Sequence, residues 1–572
     1  MEQIKRILTN TIKKRNKYNN ASKHKLSRYN SFVTLILIAM LFSTPAFAQD
    51  KSSEIEKLFS WATPSAPGCV CAVSEKGKLV FNNAYGSADL ERNVALSTNS
   101  VLDAGSVVKQ FVAASVLLLV EDGKLSLTED VHKYISELPD YGNKITLNHL
   151  LNHTSGIRDW TGLRPMAEGD PDALTLTLRQ RGLDFQPGEE WSYSNSGYVL
   201  LKEIVARVSG MTFSDFTKKR LFEPLKMNST FYLFDMDDVV KNRALAYKKE
   251  KDQWKLDVLS GNARGGGGAL MSTASDLLIW NDALTINSLS NFVSKQLIEP
   301  AVLNNGRKLG YARGLMLDEF SEGEQLIWHS GGAGGYSTLL VRLPTQNFSL
   351  AIMCNSDGGA RSAYADRILD LYVPKKSSAG KNENKTPADT GTVNNITNRG
   401  GLFFNEVNGQ PLRLLVNNNT LSVFRGGPLV AINSSKYRNK GKSLFFMSEA
   451  DFELEFINED KFEIKTKVGT ILHYKRAKGW TPTAAELDTF SGLYESNEMG
   501  SVLEIKPGKT GLVMRFYRNP AKSLQFNPVD RDTFMFGMMT IRFIRDVEGK
   551  IVGYEYSNPV VRNIKFTKLN TK

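Results

Sequence analysis

The chain's most apolar pattern runs over residues 103–123, DAGSVVKQFVAASVLLLVEDG. Val107, Val108, Phe111, Val112, Ser115, Val116, Leu119 and Val120 recur at helical spacing, which predicts a buried helix. Asp122-Gly123 supplies its stop. Upstream, residues 69–73 and 78–82 read as strands joined by a Glu75-Lys76-Gly77 turn. Downstream the helical period returns over 145–157, with Ser155-Gly156 as a stop, over 197–208, ended by Gly210, and over 213–225. A glycine run at 265–268 precedes a helix at 273–284. Strands follow at 325–329, 336–343 and 348–354, then a helix at 360–372. Two strands, a long helical insert, three strands and a helix predict an α+β domain: one antiparallel sheet flanked by helices, with an all-helical subdomain inserted.

Residues 374–401 are rich in Lys, Ser, Asn, Thr and Gly and nearly free of apolar residues, the composition of a linker. Beyond them the period is two. Phe452-Glu453-Leu454-Glu455-Phe456 alternates strictly, as do Phe462-Glu463-Ile464-Lys465 and residues 502–505, with 541–544 following roughly. Pro507-Gly508 and Glu548-Gly549 punctuate the runs. This predicts all-β structure with one buried face, divided by Gly479-Trp480-Thr481-Pro482 into two small barrel-like units. At 572 residues the chain exceeds what one core holds. The expected organisation is a leader at 1–48, an α+β domain at 49–373, a linker at 374–401, and β domains at 402–478 and 479–572. The polar linker implies that the part before it folds without the rest.

A formal charge of +12 points at first to a polyanionic partner. Its position removes that reading. Residues 1–48 hold nine of the 72 Lys and Arg and one of the 60 Asp and Glu, which leaves 63 basic residues against 59 acidic ones. Nucleic acid is therefore not an expected partner. The leader itself is a long basic stretch containing Lys5 and Arg28, an apolar run at 32–42, and Ala46-Phe47-Ala48. That is the pattern of a signal peptide cleaved before Gln49, and it implies export to the periplasm or medium. The rival reading is an uncleaved anchor, which the short run and its break at Ser43, Thr44 and Pro45 disfavour. No later stretch reads as a membrane span, so none is expected once the signal is cleaved. Three cysteines make no disulfide framework; Cys69, Cys71 and Cys354 read as core residues. The six histidines lack zinc-ligand spacing, so no metal and no cofactor is expected.

Candidate chemistry begins at the first turn of the central helix. Ser106 and Lys109 are three apart and share a helix face. A serine hydroxyl needs a neighbouring base, and a lysine made neutral by burial can be one. Free amides at a helix start also suit a developing oxyanion. S-x-x-K alone is common and gains specificity only from partners. One is Trp191-Ser192-Tyr193-Ser194-Asn195-Ser196-Gly197, where Tyr193 can shuttle protons, as phenol or as phenolate if cations lower its pKa. Asn195 offers an amide to orient a substrate carbonyl or the lysine. Another is Ile327-Trp328-His329-Ser330-Gly331-Gly332 leaving a predicted strand, where glycines let a substrate approach the strand edge and an N–H near Gly332 offers a second oxyanion donor.

Together and in this order, Ser106-Val-Val-Lys109, Tyr193-Ser-Asn195 and His329-Ser-Gly331 resemble the serine β-lactamase and penicillin-binding protein superfamily, in its class C pattern. GKLSLTEDVHKYI after the central helix and LLNHTSGI fit the same family, and the resemblance covers about residues 60–373. It implies Ser106 as acylated nucleophile, Lys109 and Tyr193 sharing acid and base work, and Asn195 positioning the substrate. It implies an oxyanion hole from the Ser106 and Gly332 amides, and His329 and Gly331 lining the substrate strand. One departure stands out. The strand motif begins with lysine in true β-lactamases and with His329 here, as it does in D-aminopeptidases, D,D-peptidases and esterases of the family. The two β units resemble those that follow the catalytic domain in D-aminopeptidases. The expected function is a periplasmic serine hydrolase of D-amino-acid-containing peptides, amides or esters, with a small-molecule or peptide substrate as partner. The alternatives are a β-lactamase and a catalytically silent binder of cell-wall fragments. The oligomeric state is not legible.

Overall fold

A computed structural model describes residues 46–570 apart from 170, 234, 236–237, 258–267, 322, 357–360, 374–395, 408, 425–426, 440–451 and 467–470. The leader before residue 46, the first three glycines of the 265–268 run and most of the expected linker lie outside the described residues. Residues 46–61 and 366–373 belong to one unit, in which the Lys51 ammonium lies 4.3 Å from the centre of the Tyr372 ring. The larger unit comprises Ala62–Ala365 and Lys375–Lys572.

The larger unit is built on a seven-stranded antiparallel sheet. Its strands are β1 (Cys69–Glu75), β2 (Lys78–Tyr85), β3 (Tyr311–Ala312), β4 (Leu315–Ser321), β5 (Glu324–Ala333), β6 (Tyr336–Leu343) and β7 (Phe348–Cys354), in the order β3-β4-β5-β6-β7-β1-β2. β6 and β7 are buried at every residue and β1 at all but its last, so they read as apolar runs covered on both faces. The first hairpin turns on Lys76 and Gly77, both at positive φ.

The central helix, α1 (Val108–Glu121), follows a 3₁₀ turn at Gly105–Val107. Eleven of its fourteen residues are buried, which makes it the middle of the core and not a surface helix. Phe111 stacks on Trp280 at 4.3 Å, and the Trp280 indole N–H donates to the Gln110 carbonyl oxygen at 3.0 Å. The remaining helices near the site are α2 (Leu147–Leu151), α3 (Trp160–Leu163), α4 (Asn195–Ser209) and α5 (Ala274–Thr285). α4 ends where Gly210 takes a left-handed φ of 68°.

Two expectations are corrected. The helix read over 145–157 stops at Leu151, because His153 and Gly156 both adopt positive φ. A side chain at Gly156 would overlap the Phe185 carbonyl oxygen at 2.0 Å. Residues 152–157 are instead a buried polar loop. The cysteines are buried as expected, but Cys69 and Cys354 face each other across β1 and β7 and form a disulfide; Cys71 is the free thiol. Strand period places Cys69 and Cys71 on one face and says nothing of a partner strand 285 residues away.

The C-terminal part is all-β. Residues 401–476 form a nine-stranded antiparallel sheet and residues 492–568 a closed eight-stranded barrel. In the sheet Phe452, Leu454 and Phe456 point inward, against Phe403, Phe462 and Tyr474. The barrel core contains Phe490, Tyr494, Leu503, Phe534 and Tyr554, together with Leu163 and Met166 from the α3 segment.

Candidate active site

The nucleophile turn and strand β5 meet backbone to backbone. Gly105 has φ of 53°, and a Cβ there would lie 2.5 Å from the Gly332 nitrogen. A Cβ on Gly331 would lie 2.0 Å from the Ala104 carbonyl oxygen and 3.1 Å from the Ser106 nitrogen. Only glycine on both sides permits that approach. It brings the amides of Ser106 and Gly332 to one seam, and the space a Cβ of Gly332 would enter is open. The Asp103 carboxylate accepts from the Gly105 N–H at 2.8 Å and braces the turn. Burial pushes its pKa up to about 7, against the pull of that N–H.

Lys109 leaves the first turn of α1 fully enclosed. Its Nζ lies 3.3 Å from Ser106 Oγ and donates to Asn195 Oδ1 at 2.8 Å. Burial pushes its pKa down to about 7, and the Asp159 carboxylate partly offsets this. A large fraction of Lys109 is therefore neutral near pH 7. Asn195 Nδ2 donates in turn to Asp159 Oδ2 at 3.0 Å, and the Asn195 backbone N–H donates to the same oxygen. The other Asp159 oxygen accepts from the Thr161 N–H at 2.7 Å and so caps α3. Asn195 thus holds the lysine, one of the two roles its amide allows.

Tyr193 lies beside both, with Lys109 Nζ 4.7 Å from its ring centre. Burial raises its pKa above the ordinary phenol value, and the adjacent Ser106 hydroxyl lowers it only in part. Desolvation, with the Asp159 carboxylate adding to it, favours the phenol over the phenolate. His153 sets the tyrosine loop. Its Nδ1 accepts from the Ser194 N–H at 3.0 Å, which leaves the Nε2 proton to donate to Tyr311 Oη at 2.9 Å. Its ring packs on Tyr193 with centres 4.4 Å apart.

His329 is buried in β5, 6.2 Å from Tyr193 and 6.3 Å from Tyr311 between ring centres. Burial first, and then Lys109, pushes its pKa down to about 3. Its Nδ1 donates to the Ser330 carbonyl at 2.6 Å, so Nε2 carries a bare lone pair, and that atom has no hydrogen-bond partner. All seven residues named from sequence therefore gather at this one place. His153, Asp159 and Tyr311 were missed. Asp159-Trp160-Thr161 does carry an N-cap signal, but a cap does not announce what else the carboxylate touches.

A family model described as Beta-lactamase matches residues 59–374, more than half of the chain. The chain belongs to the beta-lactamase family. It is a serine hydrolase of that family. It is 30% identical over 333 residues to Penicillin-binding protein 4* of Bacillus subtilis (strain 168), covering 54% of this chain and 73% of that protein. It is 24% identical over 320 residues to the D-aminopeptidase of Brucella anthropi, covering 54% of this chain and 60% of that protein. Among solved structures, the octameric penicillin-binding protein homologue from Pyrococcus abyssi matches with a TM-score of 0.50 at 22% identity, over 75% of this chain and 98% of that one. That likeness speaks to fold. Among the described residues no helix is long and apolar enough to cross a membrane.

Proposed function

We propose that this serine hydrolase works through an acyl-enzyme on Ser106 and takes D-amino-acid-containing peptides, amides or esters. The observation that carries the reading is a buried, largely deprotonatable Lys109 within 3.3 Å of Ser106 Oγ. Neutral Lys109 takes the Ser106 proton as Oγ attacks the substrate carbonyl. The amides of Ser106 and Gly332 receive the oxyanion. The Tyr193 phenol gives its proton to the leaving group and is restored from Lys109. Water, activated by the same pair, then releases the acid.

His329 argues for the substrate class. A lysine there would present a fixed charge to a substrate carboxylate; the neutral imidazole presents a lone pair instead. With no fixed charge at this position, the site suits a neutral acyl group better than a free carboxylate. Kinship with a D-aminopeptidase supports the same class. Export is supported by the leader pattern and by the Cys69–Cys354 disulfide, a bond that persists in oxidising compartments.

Labelling by a fluorophosphonate, followed by turnover of D- and L-aminoacyl nitroanilides, short esters and nitrocefin, tests the reading. Ser106→Ala is expected to abolish labelling and turnover with the fold intact; retained labelling would refute the nucleophile. Nitrocefin turnover exceeding that of the D-aminoacyl substrates would replace the proposed class with a β-lactamase.

A further inference from the structure

Residues 158–195 carry Asp159, Tyr193 and Asn195, all of which face Lys109 or Ser106. The other side of this wall is held by the closed barrel. Arg158 Nη1 donates to Glu498 Oε1 at 2.8 Å, and the Arg181 N–H donates to the same oxygen. Tyr556 Oη and Asn558 Nδ2 both donate to the Gly162 carbonyl, at 3.0 and 2.8 Å. Ser501 Oγ donates to the Met166 carbonyl at 2.7 Å. The Arg562 N–H donates to Asp184 Oδ1 at 2.9 Å, and its guanidinium pairs with Glu190 at 2.9 Å. Leu163 and Met166 complete the barrel's own core.

The two ends of the wall are pinned separately. Glu498 holds Arg158, the residue before Asp159. Arg562 holds Glu190, three residues before Tyr193. Arg158 and Glu498 side chains are only 9% and 16% exposed, so the pair fixes geometry more than it adds stability.

We propose that the C-terminal barrel is a working part of the active site: Glu498 and Arg562 are positioning residues that fix the 158–195 wall, so that Asp159 keeps Asn195, and Asn195 keeps Lys109, in reach of Ser106. The inference rests on the roles given above to Ser106 and Lys109. Lys109 is faced by Ser106 from its own turn, by Tyr193 from the loop before α4, and by Asn195, Tyr198 and Lys202 from α4. Asp159 faces it from the cap of α3, His153 from the loop after α2, and His329 from β5. Asp159 is the carboxylate among them, and it favours the protonated lysine. A loosened wall admits water to Lys109 and moves Asp159, so both influences on its proton affinity change, burial being the larger.

The test uses the full chain with Glu498→Ala, Glu498→Gln and Arg562→Gln, and a neutral nitrophenyl ester across pH. In Glu498→Ala, kcat is expected to fall about ten-fold with KM changed less than about two-fold, since misplacement acts on the reacting geometry. The acid limb of kcat/KM is expected to move from its wild-type position, since the burial of Lys109 and its distance from Asp159 both change. Glu498→Gln keeps an acceptor oxygen for Arg158 and Arg181 and is expected to recover most of kcat. A profile that scales down without moving its limb, or an unchanged one, overturns the proposal. Should Glu498→Ala fail to fold, Arg562→Gln, whose Glu190 partner is 44% exposed, gives the same readout, and an unmoved limb there is equally decisive. Wild-type protein that a fluorophosphonate leaves unlabelled overturns the reading of Ser106 and this inference together. Labelled wild type with unmoved limbs overturns this inference alone.

Discussion

The two C-terminal β structures share a sequence texture and differ in what they hold. The sheet at 401–476 closes its core with its own residues, Phe403, Leu454, Phe462 and Tyr474 among them, and with Ile396 just before it. The barrel at 492–568 borrows Leu163 and Met166 for its core and donates four side chains' hydrogen bonds to the wall of the active site: Ser501, Tyr556, Asn558 and Arg562. Alternating strands therefore specify a buried face without specifying whose residues fill it. Docking, and with it any bearing on catalysis, depends on which loops converge.

The largest expected effect follows from removing the barrel. A chain ending at residue 478 exposes Leu163 and Met166, each worth about 1.5–3 kcal/mol of burial, and leaves Arg158 without Glu498. Asp184, 3.5 Å from Arg158 Nε, remains as its carboxylate partner, so the loss is smaller than the about 3–5 kcal/mol of a buried charge left unpaired. Such a chain is expected to lose sharp near-ultraviolet structure and fluorophosphonate labelling. The polar linker at 374–401 led to the opposite expectation, a catalytic part that folds alone. A soluble truncated chain labelled at the wild-type rate would restore that expectation and erase the contrast between the two β structures.

A matched pair of glycine substitutions sharpens the contrast. A Cβ on Gly162 would lie 2.6 Å from Val561 Cγ2, 2.8 Å from Asn558 Oδ1 and 2.8 Å from Val560 Cγ2, all on the barrel. Gly162→Ala is expected to cost about 1–3 kcal/mol by overpacking and to lower kcat. Beside the first sheet, a Cβ on Gly400 would meet its nearest neighbour, Val416 Cγ2, at an ordinary 3.4 Å, with φ of −66°. Gly400→Ala is expected to be neutral or to stabilise by about 0.4–1 kcal/mol through the unfolded chain. Thermal melting and ester turnover on both variants decide it; equal losses would mean that the docked surface has no special status.

Most of the sheet and all seven motif residues were legible because each is local: a helical face, a Y-x-N before a helix, glycines on a strand. The missed parts are those that distant segments create. His153 looked like a helix residue until its positive φ turned it toward Tyr311 and Tyr193. Asp159 reads as a cap, and only chain closure brings Asn195 to it. Cys69 finds Cys354 only through sheet pairing. Leu163 and Met166 look like ordinary core residues, and nothing local says that their core lies more than 300 residues downstream. The linker composition was informative about the linker alone.

The smallest expected effect is a null that separates the two β structures by proton chemistry. Activity requires neutral Lys109, so kcat/KM for a neutral ester is expected to rise as pH passes through about 7 and to fall below it. The Asp159 carboxylate favours the protonated lysine. Asp159→Asn is therefore expected to move the acid limb to lower pH, raising the ratio of activity at pH 6 to that at pH 8 even as the plateau drops. Phe462→Ala, in the core of the first sheet, should cost about 3–5 kcal/mol locally, enough to loosen that sheet. Phe462 packs on Phe403, Phe456 and Tyr474 within that sheet, so the limb should stay where it is in the wild type. A limb that moves with Phe462→Ala would show that both β structures reach the proton relay, and the difference drawn between them would fall.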